Sequence, residues 1–544
     1  MKTATKAISL AAVGVLLLAG CGSEPEFDIL IVNGAVYDGS DARPVVADVG
    51  IRGDRIAAVG DLANRPAQQR IDASGLAVTP GFIDIHSHAI RENRKRSGLL
   101  LWPDAENQVR QGVTTVIGGP DGGSPLPLAD TFSEIESLGT TVNYGSFVGQ
   151  GSVRSAIMGE DNRLPTSEEM QAMRELVAQG MQQGAFGLSS GLVYAPGSFA
   201  TTEEVIELAR VAAQYGGIYI SHMRDEGRGI LDSVAETIRI GKEGGLPAQI
   251  THHKVVGAGM WGATATTLEM VNAANKAGLD VTIDQYPYTA SSTSLQVLFP
   301  QWALDGDREI RNQRMRDPDQ HDRLITDIVD NLAEDRGGND PARVVMAECT
   351  WNPAINGLSL RDMLMQQERP ANLQEAAKLV VELELAGGCT AVYHAIAEED
   401  VLRVMSHSRA MIASDGGVYI PGVGVPHPRN YGAFARVLGR YVRELGHLSL
   451  ERAVYKMSRM PADRIGLESR GRIEVGAIAD IAVFDAEEIA DRATFADPHQ
   501  YAVGMHHVLV AGEAVLLDGE MTGVRPGRIL RAAPVSAPQA GRVP

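Results

Sequence analysis

The stretch Phe82-Ile83-Asp84-Ile85-His86-Ser87-His88 joins an apolar run to two imidazole side chains. Residues two apart on a strand lie on the same face, so His86 and His88 can point in the same direction. In a parallel β/α barrel the functional residues follow the carboxyl ends of the strands. The stretch therefore predicts a barrel strand that ends at the mouth of an active site.

The same pattern continues outward from this stretch, between about residues 80 and 465, where apolar runs alternate with amphipathic helices. One helix is predicted at 203–214, with Thr201 and Glu204 as its capping box. Repeated βα units over about 400 residues predict an α/β protein with a (β/α)₈ TIM-like barrel. The strand-like runs exceed eight, and the excess at about 295–400 predicts an inserted subdomain or lid.

Signals for β-hairpins lie at both ends of the chain. In residues 27–79, turn pairs such as Asn33-Gly34 and Gly53-Asp54 separate short apolar runs. In residues 466–544, Ala511-Gly512 and Asp518-Gly519 repeat the pattern ahead of a C-terminal tail. We therefore expect one β-sandwich built from both termini, with the barrel at 80–465 inserted between its two parts.

The first twenty residues have the features of an export signal. Lys2 and Lys6 precede an apolar run of eleven residues, too short to span a bilayer core of about 30 Å. The run ends in Leu18-Ala19-Gly20-Cys21, which resembles a bacterial lipobox. We expect 1–20 to be a lipoprotein signal peptide, Cys21 to carry the lipid and 21–26 to be a tether. The alternative is an ordinary secretory signal with a chance cysteine.

The net charge of the chain limits the partners that are expected to bind it. The 544 residues include 68 Asp plus Glu and 49 Lys plus Arg, a formal charge of −19, so nucleic acid is not expected to bind. The anchor predicts an exported membrane-bound lipoprotein, on the periplasmic side of the outer membrane or at the cell surface.

Cys349 ends one strand-like run and Cys389 opens another. If these were neighbouring parallel strands, the Cα atoms would be further apart than the roughly 7 Å limit, so two free thiols are expected.

Three more metal-capable residues stand at the ends of apolar runs: His222, His252 and Asp415. Because the carboxyl ends of barrel strands meet at one mouth, these side chains are expected to join His86 and His88. Neutral imidazoles and carboxylates are ligands that Zn²⁺ prefers. The five residues together predict an active site with metal-capable side chains at the mouth of the barrel.

The motifs resemble those of the N-acyl-D-amino-acid deacylases (D-aminoacylases) of the metal-dependent amidohydrolase superfamily. The match runs from about residue 28 to 530, and it supports the same barrel and sandwich layout. The stretches that carry the resemblance are 80–88, 111–115, 187–197, 221–226, 286–288, 414–416, 427–429 and 476–481.

The resemblance implies metal-dependent hydrolysis of the amide bond of N-acyl-D-amino acids, releasing a carboxylate and a free D-amino acid. His222 and His252 would hold a metal, while His86 and His88 would form or support a second site. Asp415 would be the general base that later protonates the departing amine. The cofactor would be Zn²⁺, as one or two ions, with Mn²⁺ or Co²⁺ also possible.

The resemblance also implies how a small N-acyl amino acid or a short peptide would bind. Four positions match residues that contact the substrate carboxylate in the deacylases: Lys254, Tyr286, Ser292 and Arg429. The alternative is that Lys254 and Arg429 are rim charges that pair with local acids.

One position departs from the family's metal set. D-aminoacylases carry a metal-binding Cys in a Gly-Asn-Cys-Gly turn, where this chain has Gly119-Pro120-Asp121-Gly122. We expect Asp121 to be a metal ligand, and a carboxylate shifts the preference toward Mn²⁺ or Co²⁺. The alternative is that Asp121 only caps a tight Pro-Asp-Gly turn.

Other functions compete with the deacylase hypothesis. Within the superfamily these are a dipeptidase acting on D- or isopeptide bonds and a cyclic amidase of the hydantoinase and dihydroorotase type. Binuclear cyclic amidases use a carboxylated Lys on the fourth strand, and residues 186–190 contain none. A catalytically inactive binding lipoprotein is the alternative outside enzymes, and the intact set of four histidines with Asp415 counts against it.

Overall fold

This computed structural model describes residues 25–90 and 98–533. The expected signal peptide at 1–20, the lipobox Cys21 and most of the tether lie outside the described residues. Within the described ranges, no helix has both the length and the apolar character needed to cross a membrane.

The described part begins with five strands of one sheet. They are β1 Phe27–Val36, β2 Val45–Arg52, β3 Arg55–Gly60, β4 Ala67–Asp72 and β5 Ala77–Pro80. As predicted, β2 and β3 form a hairpin whose turn is Gly53-Asp54.

The predicted hairpin turn at Asn33-Gly34 is wrong. Strand β1 runs through both residues, and its pairing with β2 shifts register between Ile31 and Gly34, which marks a bulge. Asn33 has a φ of 62°, a left-handed conformation that Asn tolerates in a bulge as well as in a tight turn. The dipeptide Asn-Gly is therefore compatible with two different features, a β-bulge and a tight hairpin turn.

The barrel follows with short, buried strands and with helices between them. The strands are β6 Phe82–Asp84, β7 Val113–Gly118, β8 Asn143–Ser146, β9 Val148–Gly149, β10 Gly187–Gly191, β11 Ile218–His222, β12 Ala248–Ile250 and β13 Val281–Gln285. The helices are α1 Glu106–Val109, α2 Leu128–Leu138, α3 Gln150–Met158, α4 Ser167–Gln182, α5 Thr202–Gln214, α6 Ile230–Gly244 and α7 Thr264–Lys276. At α5, one half of the predicted capping box is present, because the Thr201 hydroxyl accepts a hydrogen bond from the Glu204 backbone N–H.

The excess strands form a separate antiparallel sheet with its own helices. The strands are β14 Ser291–Ser294, β15 Val344–Glu348 and β16 Thr390–Tyr393, in the order β14-β16-β15. The helices are α8 Arg308–Arg316, α9 Pro318–Glu334, α10 Leu360–Gln366 and α11 Leu373–Ala386. Residues such as Leu298, Ile328, Leu360 and Val380 give this insertion a core of its own.

The expectation of two free thiols is wrong, because Cys349 and Cys389 form a disulfide with Cα atoms 4.5 Å apart. The expectation assumed neighbouring parallel strands, whereas β15 and β16 are antiparallel. In an antiparallel pair the end of one strand lies beside the start of the next, which brings these two cysteines together.

The chain then returns to the barrel through α12 Glu398–Ser406 and β17 Ala410–Ile412. Strand β17 pairs in parallel with β13, and the segment after it closes the barrel against the segment after β6. There the Asp415 N–H donates to the His86 carbonyl at 3.0 Å, and the His88 N–H donates to the Gly416 carbonyl. Phe147 alone separates β8 from β9, so these count as one strand position, and the barrel has eight parallel strands.

After β17, the part of the chain that the structure describes has four more α- or π-helical stretches and four strands. The helices are α13 Arg429–Arg436, a π-helical stretch Val437–Glu444, α14 Leu450–Met457 and α15 Arg459–Arg464. The strands are β18 Ile481–Phe484, β19 Met505–Val510, β20 Glu513–Leu517 and β21 Glu520–Met521. Ala511-Gly512 and Asp518-Gly519 are hairpin turns, as predicted.

The N-terminal and C-terminal strands of the described residues meet in one nine-stranded sheet. Its order is β21-β20-β19-β18-β5-β1-β2-β3, with β4 beside β1. The β5–β18 pair joins the halves, and side chains such as Ile31, Val49, Ile481 and Leu509 share one core. The β domain is therefore built from both termini, and the barrel with its insertion lies between them in sequence.

Candidate metal centre and active site

The barrel brings the six predicted metal-centre and catalytic residues to one mouth. Each one lies at or just after the carboxyl end of a strand, which is where parallel barrel strands converge. In chain order they are His86 and His88 after β6, Asp121 after β7, His222 at the end of β11, His252 after β12 and Asp415 after β17.

The Asp121 carboxylate lies between two pairs of histidines. Its Oδ1 is 3.3 Å from His86 Nε2 and 3.4 Å from His252 Nε2. Its Oδ2 is 3.4 Å from His88 Nε2 and 3.6 Å from His222 Nδ1. One carboxylate thus contacts all four imidazoles, with each oxygen facing one ring of each pair.

The two sequence-based interpretations of Asp121 are both visible in the geometry. The backbone forms a turn here, in which the Gly123 N–H donates to the Pro120 carbonyl at 3.0 Å. Asp121 itself has a φ of 55°. The carboxylate is directed at the histidines, so the turn aims the side chain into the site.

Two sets of donor atoms suited to a cation share this carboxylate. The first contains His86, His88, Asp121 and Asp415, and the second contains Asp121, His222 and His252. Two of these atoms face each other at 3.3 Å, are buried and make no hydrogen bond to the described residues: His86 Nε2 and Asp121 Oδ1. Buried polar atoms without partners are costly, so their convergence fits a site for divalent ions. Nitrogen and oxygen donors of this kind suit Zn²⁺, Mn²⁺ and Co²⁺.

Three of the site residues have left-handed backbone conformations: Asp121, His252 and Asp415, with φ values of 55°, 35° and 49°. Non-glycine residues adopt this region at a cost, and such residues concentrate at functional sites. His252 and Asp415 lie two and three residues beyond the ends of β12 and β17.

The carboxylates give the buried histidines different proton affinities. Burial lowers the pKa of His222 to about 4. Burial and Lys254 also act to lower the pKa of His252, but Asp121, Glu226 and Asp415 outweigh them and raise it to about 9. A proton and a divalent cation therefore compete for the same imidazole nitrogen.

Asp415 stands between a histidine and an arginine. Its Oδ1 is 3.2 Å from His88 Nε2, and its Oδ2 accepts a hydrogen bond from Arg429 Nη1 at 2.8 Å. Burial acts to raise the pKa of Asp415, but the positive Arg429 and the neighbouring histidines hold it well below its ordinary value. The carboxylate is therefore ionised.

The four residues expected to bind a substrate carboxylate lie together. Lys254 Nζ lies 5.7 Å and the Arg429 guanidinium carbon 4.9 Å from the centre of the Tyr286 ring. Arg429 Nη2 donates to the Ser292 carbonyl at 3.2 Å. Lys254 Nζ donates to Glu226 Oε1 at 2.5 Å, so both cations are paired with acids, as the alternative expected, but both are buried and neither is a charge at the rim.

A cavity of about 380 Å³ opens at this mouth, within the usual range for small-molecule sites. Lys254, Ser292 and Arg429 line it together with the metal-capable residues His88, Asp121, His222, His252 and Asp415. The insertion supplies another part of the wall, through Ser291, Arg336, Glu348 and Thr390. The Tyr286 hydroxyl is buried and has no hydrogen-bond partner among the described residues.

Sequence reasoning missed several residues that organise this site. Asp284, near the end of β13, accepts the His252 backbone N–H at 2.6 Å and lies 3.7 Å from His86 Nδ1. Tyr194 packs its ring edge-on against His222, at 4.7 Å between ring centres. Glu226 and Arg336 form a buried ion pair behind the histidines. The signal for Glu226 was its place four residues after His222, whereas nothing in the sequence pointed to Arg336.

Comparison with known proteins identifies the family. The model of the amidohydrolase family matches residues 69–516. The D-aminoacylase of Alcaligenes xylosoxydans xylosoxydans is 38% identical, over 93% of this chain and 98% of its own length. This chain belongs to the amidohydrolase family. A second relative of this amidohydrolase, the N-acyl-D-glutamate deacylase of the same organism, is 36% identical over 95% of this chain and 100% of its own length.

Solved structures agree with this assignment. A crystal structure of D-aminoacylase is 36% identical, covers 93% of this amidohydrolase and 100% of its own chain, and superposes with a TM-score of 0.78. The N-acyl-D-glutamate deacylase from Bordetella bronchiseptica, complexed with zinc and a phosphonate inhibitor that mimics the tetrahedral intermediate, is 32% identical over the same shares, with a TM-score of 0.79. A D-hydantoinase at 15% identity and a TM-score of 0.54 shares the fold alone. The resemblance to the D-aminoacylases is confirmed.

Proposed function

We propose that this protein hydrolyses the amide bond of N-acyl-D-amino acids and releases a carboxylate and a free D-amino acid. The observation that carries the proposal is the contact of Asp121 with all four histidines at the mouth of the barrel. Full-length similarity to D-aminoacylase and N-acyl-D-glutamate deacylase supports the substrate class.

The cofactor in this proposal is Zn²⁺, which the Bordetella bronchiseptica relative contains. His222, His252 and Asp121 would hold one ion, and His86 and His88 with Asp121 would hold or support a second. A bound divalent ion supplies Lewis-acid polarisation of the amide carbonyl and lowers the pKa of water toward 7.

Asp415 would act as general base and then as general acid. Its carboxylate is ionised and lines the cavity, so it can take a proton from the attacking water. The same group can return that proton to the amine nitrogen as the amide bond breaks. Arg429 would hold the carboxylate in place through its 2.8 Å hydrogen bond.

The free α-carboxylate of the substrate would be recognised by Lys254, Tyr286, Ser292 and Arg429. Arg429 uses Nη1 for Asp415 and Nη2 for the Ser292 carbonyl, so it fixes the general base and one edge of the cavity together. The Tyr286 hydroxyl is a donor with no described partner, which suits a role toward a ligand oxygen.

A substrate screen tests the proposal. N-acetyl and N-formyl derivatives of D- and L-amino acids, D-terminal dipeptides and cyclic amides would be assayed with Zn²⁺, Mn²⁺ and Co²⁺. We expect turnover of N-acyl-D-amino acids, loss of that turnover on chelation and its recovery when metal is returned. Turnover restricted to dipeptides or to cyclic amides would contradict the proposal and favour those alternatives.

We also propose that the protein is an exported lipoprotein anchored through Cys21. The disulfide between Cys349 and Cys389 supports export, because disulfides persist in oxidising compartments. Cys21→Ala is expected to move the protein out of the membrane fraction of its native cells or of a bacterial host. Retention of Cys21→Ala in the membrane fraction would contradict the lipid anchor.

A further inference from the structure

We propose that Glu226 is a positioning residue that orients His252 through a short contact with its outer nitrogen, lies beside His222 and holds Lys254 and Arg336 at the cavity wall. The inference rests on the proposed metal-dependent function. Glu226 is 1% exposed and follows β11, four residues after His222.

Glu226 contacts each histidine on the nitrogen that faces away from Asp121. For His252, Nδ1 is 3.1 Å from Glu226 Oε1, while Nε2 faces Asp121 at 3.4 Å. For His222 the nitrogens are exchanged, since Nε2 is 3.6 Å from Glu226 Oε2 and Nδ1 faces Asp121 at 3.6 Å. Each imidazole therefore lies between an outer carboxylate and an inner one. An outer carboxylate within hydrogen-bond distance fixes the tautomer and the ring orientation of a metal-binding histidine, which applies to His252 at 3.1 Å, whereas the 3.6 Å contact with His222 is only a neighbouring charge.

The same carboxylate binds two cations of the cavity wall. Lys254 Nζ donates to Oε1 at 2.5 Å and lies 2.8 Å from His252 Nδ1. Arg336 Nη2 donates to Oε2 at 3.2 Å. Arg336 comes from the insertion, between α9 and β15, and is 2% exposed. Glu226 thus joins the barrel strand that carries His222 to the inserted segment that shapes the cavity.

The negative charge of Glu226 is what this arrangement requires. Each carboxylate oxygen of Glu226 now accepts a hydrogen bond from a cation. A glutamine would replace one of these oxygens by an amide NH₂, which is a donor and cannot accept that bond. It would also leave the buried Lys254 and Arg336 with less compensating charge, which is costly away from water. If Glu226 only stabilised the fold, its substitution would affect folding but would not selectively change the affinity of the folded protein for metal.

Zn²⁺ affinity, measured by competition with a chromophoric chelator, tests the proposal without any substrate. For Glu226→Gln we expect an affinity loss of about 10- to 100-fold, the range found when an outer partner of a metal ligand is removed. We also expect KM to rise more for a free-acid substrate than for its amide, because Lys254 loses its fixed position. Glu204→Gln is the matched control, since Glu204 is also buried and pairs with Arg154 at 3.2 Å, and the Zn²⁺ affinity of this variant should stay unchanged.

A double variant keeps the test decisive if Glu226→Gln does not fold. Glu226→Gln with Arg336→Met removes one negative and one positive charge together, so the buried charge stays balanced. We expect this variant to fold and to show the same loss of Zn²⁺ affinity. Unchanged Zn²⁺ affinity in either folded variant would overturn the proposal. A wild-type protein that binds Zn²⁺ but hydrolyses no N-acyl amino acid would instead contradict the proposed function alone.

Discussion

Arg429 Nη1 donates a hydrogen bond to Asp415 Oδ2 at 2.8 Å, and both side chains are almost fully buried at the cavity wall. The guanidinium lowers the pKa of Asp415 against the effect of burial and fixes one oxygen of the carboxylate. The other oxygen faces His88, so Asp415 lies between the metal centre and the residues expected to bind the substrate carboxylate. Substitutions of these two residues should therefore have different effects.

Arg429→Lys is expected to lower kcat/KM for a free N-acyl amino acid. The loss of transition-state stabilisation should be roughly 2–3 kcal/mol, the range for charged hydrogen bonds. An ammonium cannot bind Asp415 and the Ser292 carbonyl with a planar fork. The kcat/KM of the wild-type enzyme should be lower by a similar factor for amidated substrates, which lack the carboxylate, than for the free acids. Equal turnover of the amide and the free acid would contradict recognition of the substrate carboxylate at this site.

Asp415→Asn is expected to keep bound metal while kcat falls by about 10²-fold or more, the usual effect of losing a general base. Asn tolerates the left-handed backbone that Asp415 adopts, so the fold should be retained. Metal content by elemental analysis and kcat should be measured on the same sample. A proportional loss of metal would show that Asp415 acts chiefly as a ligand.

Asp121→Ala should weaken Zn²⁺ binding by more than about 100-fold, since it removes a ligand rather than an outer partner. Asp121→Cys should restore Zn²⁺ binding and bind Mn²⁺ less well than the unmodified protein, because a thiolate is softer than a carboxylate. Elemental analysis after equilibrium dialysis measures both effects. Wild-type metal content in Asp121→Ala would mean that Asp121 only shapes its turn.

Lys456 gives a pH dependence that is independent of the active site. It is buried and donates to the carbonyls of His407 and Ala410, and burial lowers its pKa from 10.5 to about 7. Between these pH values the unfolded chain binds the proton and the folded chain does not, so this group makes the free energy of unfolding rise with pH.

In Lys456→Met, the increase in unfolding free energy between about pH 7.5 and about pH 9.5 should be smaller than in the unmodified protein. Urea denaturation at the two pH values measures it, and Lys276→Met, at an exposed position on α7, is the matched control. An undiminished increase in Lys456→Met would mean that the buried amine stays charged.

The metal-capable residues could be predicted because strand geometry is local. His86 and His88 share a face through the two-residue period of a strand, and His222, His252 and Asp415 each end an apolar run. All parallel strands of a barrel present their carboxyl ends to one mouth, so positions distant in sequence converge there. The structure places these residues together.

The errors and omissions concern features that local sequence does not contain. Whether two strands pair in parallel or antiparallel depends on the path between them, and the disulfide of Cys349 and Cys389 follows from an antiparallel pair. Asn33-Gly34 fits a bulge as well as a turn. Arg336 reaches Glu226 across 110 residues of chain, so only the folded insertion brings it into the site.

The most direct measurement of the central claim is the hydrolysis of a racemic N-acetyl amino acid by protein reconstituted with Zn²⁺, followed by chiral analysis of the products. We predict that the reaction stops at about half conversion, as expected for a site selective for one enantiomer. The released amine should be the D-amino acid, and the chelated protein should release none. Conversion of both enantiomers, release of the L-amino acid, or the same rate in the chelated protein would contradict metal-dependent deacylation of N-acyl-D-amino acids.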